Sequence, residues 1–230
     1  MSLFVKLCGI RTESELEVAI ELGADAVGFV LTPSPRQIPL DQAARLRRLL
    51  PGNVLGVAVF HDPSPELLRL TDEEMAPDLF QSELSTLVGL PPDRLLPVVV
   101  DGDDLERDLE LAVNAAAREL VLVDSAARGG TGRRPSWERL GALAMPGKMI
   151  LAGGLDPENV GEAIEMVEPF GVDVSSGIER SPGEKDPARM RAFVRAAREP
   201  LPAKGGAPAK PGRGDLLPPM EVGKRATRRA

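Results

Sequence analysis

The sequence predicts an α/β fold, a single-domain closed (β/α)8 barrel over residues 1–199, followed by a disordered tail at 200–230. Three observations carry that expectation. Apolar runs of strand length alternate with segments of helical period, and the pair recurs eight times. The strand segments are mostly continuous apolar runs rather than alternating ones, as a parallel sheet covered by helices requires. Eight such units in roughly 200 residues suit a barrel near the short end of its length range. An open doubly wound sheet is the rival, but it has no reason to stop at eight.

FVKLCG (residues 4–9) reads as the first strand. TESELEVAIELG (12–23) reads as a helix, with Thr12 as N-cap, Glu15 three residues on, and Gly23 as its stop. DAVGFVL (25–31) is a strand and PLDQAARLRRLL (39–50) a helix; NVLGVAVF (53–60) and PSPELLRLTDEEM (63–75) form the third pair. The fourth pair is the weakest, with a short, polar strand APDLFQ (76–81) and a short helical piece SELSTLVG (82–89). RLLPVVV (94–100) precedes the helix DDLERDLELAVNAAA (103–117), and ELVLVD (119–124) precedes PSWERLGALA (135–144). KMILAGG (148–154) with PENVGEAIEMVEP (157–169), and GVDVSS (171–176) with DPARMRAFVRAARE (186–199), complete the eight. Residues 200–230 are rich in Pro, Gly, Lys and Arg without an apolar period. They cannot bury enough apolar surface to offset the entropy of ordering, so the tail is expected to be disordered.

The charge is unevenly placed. Of 28 Lys+Arg and 35 Asp+Glu, the tail holds seven and two, which leaves 21 and 33 for residues 1–199. The body is therefore about −12 and the tail about +5. An acidic body argues against nucleic acid as the main partner. No apolar run approaches the ~18–20 residues of a membrane helix. The opening MSLFVKLCGI lacks the cleavage site of a secretory signal. One cysteine forms no internal disulfide. The expectation is a cytoplasmic protein, monomer or homodimer, with no membrane partner.

In such a barrel chemistry is built at the C-terminal ends of the strands, and the special residues gather there. The first strand ends in Cys8. Lys6 lies two residues back on the same face, where its ammonium would favour the thiolate. The alternative is a buried Cys acting as a small hydrophobe. Arg36 follows two prolines that stiffen its loop, and suits either a bidentate grip on a carboxylate or a surface ion pair. Asp124 ends an apolar strand on the face of Leu120 and Leu122, as a candidate general acid or a loop cap. Two Gly-rich turns follow the seventh and eighth strands: AGGLDPENV, with Gly153 and Gly154, and SSGIERSPG, with Ser176 and Gly177. Backbone N–H groups in such turns approach anions closely, and phosphate sites of these barrels use those two loops. The alternative is that the glycines only permit tight turns. Asp173 lies at the end of the eighth strand. A third run, GGTG (129–132), suits a loop that closes over a ligand or a plain connector. His61 is the sole histidine, so a metal cluster is not expected. It reads as a loop residue, and Trp137 as a packing residue.

Five segments carry a family resemblance: VKLCGIRTESEL, DAVGFVLTPSPRQI, LVDSAARGGTGRRPSW, MILAGGLDPENVGEAI and VDVSSGIERSPGEKDPARM. In that order, from residue 4 to about 198, the chain resembles the phosphoribosylanthranilate isomerase family. The combination of CGI, SPR, D-x4-GGTG, LAGGL and DVSSGIE-x3-G-x-KD is specific; no single one is. The resemblance implies a (β/α)8 barrel that uses no cofactor and no metal and acts in tryptophan biosynthesis. The implied reaction is the Amadori rearrangement of N-(5-phosphoribosyl)anthranilate to 1-(2-carboxyphenylamino)-1-deoxyribulose 5-phosphate. Carried over, Asp124 is the general acid that opens the ribose ring and Cys8 the general base at the sugar C2. Arg36 holds the anthranilate carboxylate, Gly153, Gly154, Ser176 and Gly177 hold the phosphate, and Asp173 contacts sugar hydroxyls. The family usually has a VQLHG-like run on strand four. Here DLFQSEL keeps Gln81 but places Glu83 where a histidine is usual. Two other readings stand beside this one. The sister isomerase of histidine biosynthesis uses an aspartate on strand one, and Cys8 argues against it. A non-catalytic phosphate-binding barrel is opposed by Cys8 and Asp124 occurring in one frame.

Overall fold

The computed structural model describes residues 3–124, 137–143 and 147–199. The GGTG run and the tail lie outside the described residues. Eight parallel strands close into a barrel in chain order. They are β1 (Phe4–Cys8), β2 (Ala26–Val30), β3 (Leu55–Val59), β4 (Leu79–Glu83), β5 (Leu95–Val100), β6 (Leu120–Asp124), β7 (Lys148–Ala152) and β8 (Gly171–Val174). The barrel closes where β1 pairs with β8, with Phe4 opposite Gly171 and Lys6 opposite Asp173. The helices are α1 (Glu13–Glu21), α2 (Leu40–Leu49), α3 (Pro65–Glu74), α4 (Leu105–Ala115), α5 (Trp137–Ala142), α6 (Val160–Val167) and α7 (Pro187–Arg198).

Alternation along the strands makes two apolar layers. Ala26, Leu55, Val57, Leu79, Leu96, Leu120, Leu122 and Ile150 fill the barrel interior. Their neighbours, among them Val27, Phe80, Val121 and Val123, pack outward against the helices. The inner residues nearer the strand C-termini are instead polar, which concentrates Lys6, Gln81, Asp124 and Asp173 at one end.

α1 starts where the sequence places it. Thr12 Oγ1 accepts from the Glu15 amide at 3.2 Å, and a Glu15 carboxylate oxygen accepts from the Thr12 amide, which closes the capping box. Gly23 ends the helix in a left-handed conformation, φ +70°.

The fourth unit corrects the sequence reading. β4 runs on through Ser82 and Glu83, and the helical piece shrinks to one 3-10 turn, Leu84–Thr86. Thr86 Oγ1 bonds both Ser82 Oγ and the Glu83 carbonyl at 2.8 Å, which tightens that turn. Gly89 at φ +87° and the pair Pro91–Pro92 then keep an α-helix from forming, and only a second 3-10 turn, Pro92–Arg94, precedes β5. Residues 76–78, read as strand, form the turn out of α3, with Ala76 at φ +48°. A second feature had no counterpart in the sequence reading: β9 (Glu179–Ser181) and β10 (Glu184–Lys185) form a small antiparallel hairpin after β8.

Candidate active site

β1 sends Phe4, Lys6 and Cys8 into the barrel. Lys6 is fully buried and donates to Asp173 Oδ1 at 2.8 Å. Cys8 lies opposite Gly28 of β2. A Cβ at Gly28 would stand 2.8 Å from the Cys8 sulfur and 3.2 Å from Lys6 Nζ, so the glycine makes the space in which thiol and ammonium meet.

The Cys8 thiol answers a question the sequence left to packing. Burial pushes its pKa up, while the ammonium groups of Lys6 and Lys185 pull it down without overcoming burial. The net shift is upward: Lys6 favours the thiolate, as its place on the same strand face suggests, but burial outweighs it. Lys6 has the opposite balance: burial pulls it down, but Asp173 and Cys8 more than offset that, and it stays charged.

Lys185 reaches the site from the hairpin. Its Nζ donates to the Ser175 carbonyl at 2.9 Å and to Glu179 Oε1 at 2.8 Å. Ser175 Oγ in turn donates to the Cys8 carbonyl. Glu179 accepts two parallel bonds from Arg36, Nε at 2.7 Å and Nη2 at 2.8 Å. Burial pushes the Glu179 carboxyl up, and its bonds to Arg36 and Lys185 reverse that to a net lowering. Two ion-pair arms thus flank the Cys8 thiol, Asp173 with Lys6 on one side and Lys185 with Glu179 and Arg36 on the other. The two bonds to Glu179 leave Arg36 with three further N–H donors for a ligand.

A cavity of about 260 Å³ opens at the strand C-termini between β4 and β8. Asp124, Asp173, Gly153, Gly154 and Ser176 all line it, with Gln81, Ser175 and a wall of Val98 and Leu122. After β7 the chain turns through two consecutive positive-φ glycines, Gly153 at +90° and Gly154 at +64°. Asp156 and Asn159 brace the loop: each side chain accepts from the other's backbone amide, and Asn159 Nδ2 donates to the Gly154 carbonyl. A Cβ at Gly177 would collide with the Leu155 carbonyl, so this glycine lets the two loops touch. Cys8, Arg36 and Gly177 are not part of the cavity wall. Cys8 is tied to it through Lys6 and Asp173, and Arg36 stands on the hairpin side.

The sequence reading did not assign Glu179 or Lys185. Lys185 stood in the quoted GEKD run, but its burial follows from a hairpin that the sequence did not announce. His61 is an exposed residue just after β3, 3.8 Å from Glu83. Trp137 packs against the outer apolar layer. Among the described residues no group of three or more His, Cys, Asp or Glu is arranged to hold a metal, and no helix is long and apolar enough to cross a membrane.

Comparison with known proteins agrees with this geometry. The model of the family described as N-(5'phosphoribosyl)anthranilate (PRA) isomerase matches residues 5–196. The chain belongs to the phosphoribosylanthranilate isomerase family. Among similar members, the N-(5'-phosphoribosyl)anthranilate isomerase of Geobacter sp. (strain M21) is 40% identical, covering 85% of this chain and 98% of the relative. The solved structure of phosphoribosyl anthranilate isomerase from Thermotoga maritima superposes with a TM-score of 0.71 at 36% identity, covering 85% of this chain and 98% of that one. A further solved phosphoribosyl anthranilate isomerase holds reduced 1-(o-carboxyphenylamino)-1-deoxyribulose 5-phosphate. It has a TM-score of 0.68 and 33% identity, with the same two coverages.

Proposed function

We propose that this member of the phosphoribosylanthranilate isomerase family converts N-(5-phosphoribosyl)anthranilate to 1-(2-carboxyphenylamino)-1-deoxyribulose 5-phosphate, with Asp124 as general acid and Cys8 as general base. The observation that carries the reading is the cavity itself. A carboxyl at the end of β6 faces Gly-rich loops after β7 and β8, and the lone thiol is joined to its wall through Lys6 and Asp173.

Asp124 gives its proton to the ribose ring oxygen; the ring opens and the anthranilate nitrogen becomes a protonated Schiff base. That cation makes the sugar C2 proton acidic. Cys8, as thiolate, removes it, and the enolamine tautomerises to the C2 ketone with a proton added at C1. No atom is gained or lost, and no metal or cofactor takes part. A raised thiol pKa makes the thiolate scarce at neutral pH but strong as a base, and the ammonium groups of Lys6 and Lys185 limit the cost of forming it. Arg36 offers its free N–H donors to the anthranilate carboxylate. The backbone around Gly153, Gly154, Ser176 and Gly177 holds the phosphate, and Asp173 meets the sugar hydroxyls. The setting is the cytoplasm.

The test generates the substrate in situ from anthranilate and phosphoribosyl pyrophosphate and follows loss of anthranilate-type fluorescence. The parent turns over. Cys8→Ser and Asp124→Asn lose roughly 100- to 10,000-fold while remaining folded, the range for removing a positioned acid or base. Variants as fast as the parent would remove the acid–base assignment. A folded parent with no turnover would remove the substrate, and the aminoaldose phosphate of histidine biosynthesis is the next to try.

A further inference from the structure

Among the described residues of the site, Gln81 carries a buried uncharged polar atom that no hydrogen bond uses. It follows Leu79 on the inward face of β4, lines the same cavity as Asp124, and is 7% exposed. Its Oε1 is shielded from solvent and has no hydrogen-bond partner among the described residues. Its strand neighbours in register, Val59 and Leu96, are apolar and supply none. A buried amide without a partner costs on the order of 1–3 kcal/mol. Such a cost persists in a fold when a ligand supplies the missing bond. With no hydrogen bond from the described residues to hold it, the amide turns about its terminal bond at little cost and can present its oxygen to the cavity.

The topology indicates which ligand atom meets it. In the isomerase reading, on which this inference rests, Arg36 after β2 holds the carboxylate and Asp124 on β6 protonates the ring oxygen beside C1. The anthranilate nitrogen lies between those two substrate groups; β4 and β8 both lie midway between β2 and β6 around the closed barrel, and on β8 the inward Asp173 is already engaged by Lys6. We infer that Gln81 Oε1 accepts a hydrogen bond from the anthranilate N–H of the substrate and holds it through the protonated Schiff base. The nitrogen carries one hydrogen in the substrate, a full positive charge with that hydrogen in the Schiff base, and a neutral N–H again in the enolamine. A fixed acceptor therefore binds tightest when the charge is present, because hydrogen bonds to ionised donors are roughly twice as strong as neutral ones. An interaction that strengthens on the way to the transition state raises kcat rather than lowering KM.

Gln81→Leu and Gln81→Glu are compared with the parent for kcat, KM and melting temperature. The expected result for Gln81→Leu is a roughly 10- to 100-fold fall in kcat, the worth of one bond to a charged donor. KM changes little, and the melting temperature is equal to the parent's or higher, because an unpartnered polar atom has been removed from an apolar wall. Gln81→Glu keeps an acceptor and recovers part of kcat. The inference is overturned if Gln81→Leu turns over within about twofold of the parent. It is equally overturned if activity and melting temperature fall together, or if the Glu variant is no better than the Leu variant. A folded parent that does not turn over the substrate defeats the isomerase reading and this inference with it, a result distinct from the others.

Discussion

Cys8 shows how a single residue is defined by what surrounds it. Its sequence neighbour Lys6 was legible at once, because a spacing of two on a strand places both on one face. Lys185 was not, since it lies 177 positions away in sequence and comes into range only through the hairpin after β8. Cys8 is faced by Lys6 on its own strand, Asp173 on β8 and Lys185 on β10; the two ammonium groups lower its pKa, while burial and Asp173 raise it. In the proposed reaction kcat/KM rises with pH as the thiol ionises. Lys185→Met removes one of the two cations, so the rising limb of the pH profile moves to higher pH. Activity falls at neutral pH and approaches the parent's in base. Measuring kcat/KM from about pH 6 to 10 checks this, and a limb that stays in place would assign Lys185 to holding Glu179 alone. Arg36 illustrates the other side of legibility. Of its two sequence readings, the ion pair is present, although part-buried against Glu179 rather than on the surface, and three N–H donors remain for the proposed grip on a carboxylate.

At the scale of elements, the strand register performs the positioning. β1 and β2 are aligned so that Cys8 faces Gly28, and only a residue without a side chain fits there. Gly28→Ala is expected to displace the thiol or the lysine head by several tenths of an ångström. The stability cost is about 1–3 kcal/mol, the range for overpacking a filled site. The activity loss should be larger than that cost suggests, because misplacing a reacting group by a fraction of an ångström already slows chemistry. Thermal melting and kcat on the same preparation separate the two effects; full activity would mean that the β1–β2 gap is looser than its contacts indicate. The fourth unit was the least legible element because its signals are local and polar. SELSTLVG carries enough helical residues to suggest a helix, but the Thr86 hydroxyl and the prolines at 91 and 92 favour a turn. The cap of α1 was legible because capping depends on spacing within one turn, whereas the cap of α7 was not assigned from the sequence. Thr12 closes a box with Glu15, and Asp186 accepts from the amides of Ala188 and Arg189.

For the whole molecule, the eight strands close without residues 200–230, and α7 packs onto that closed barrel. Met190, Phe193, Val194 and Ala197 bury one face of that helix, and Arg198 reaches the carbonyl of Gly23 and the carboxylate of Asp25. Asp25 itself accepts from the Val5 amide, so α7 is tied to β1. Truncation after Glu199 should therefore leave kcat/KM within about twofold of the full chain, and the melting temperature within about 1–2 °C, as for changes away from a core. The truncated and full chains are to be compared by fluorescence assay and thermal melting. A marked loss in either would give the basic segment 200–230 a part in the barrel or its site.

The eightfold alternation, the closed barrel and the gathering of Cys8, Arg36, Asp124, Asp173 and the Gly-rich turns at strand ends were all readable from residues. Each rests on periodicity or on spacing within one unit, and a chain writes those directly in its order. The net direction of the Cys8 shift, the sharing of Arg36 with Glu179, the burial of Lys185 and the unpartnered amide of Gln81 were not readable. They depend on distances between strands far apart in sequence and on how much water the closed barrel excludes. Burial and long-range charge have no period, so they become definite only once the chain has closed on itself.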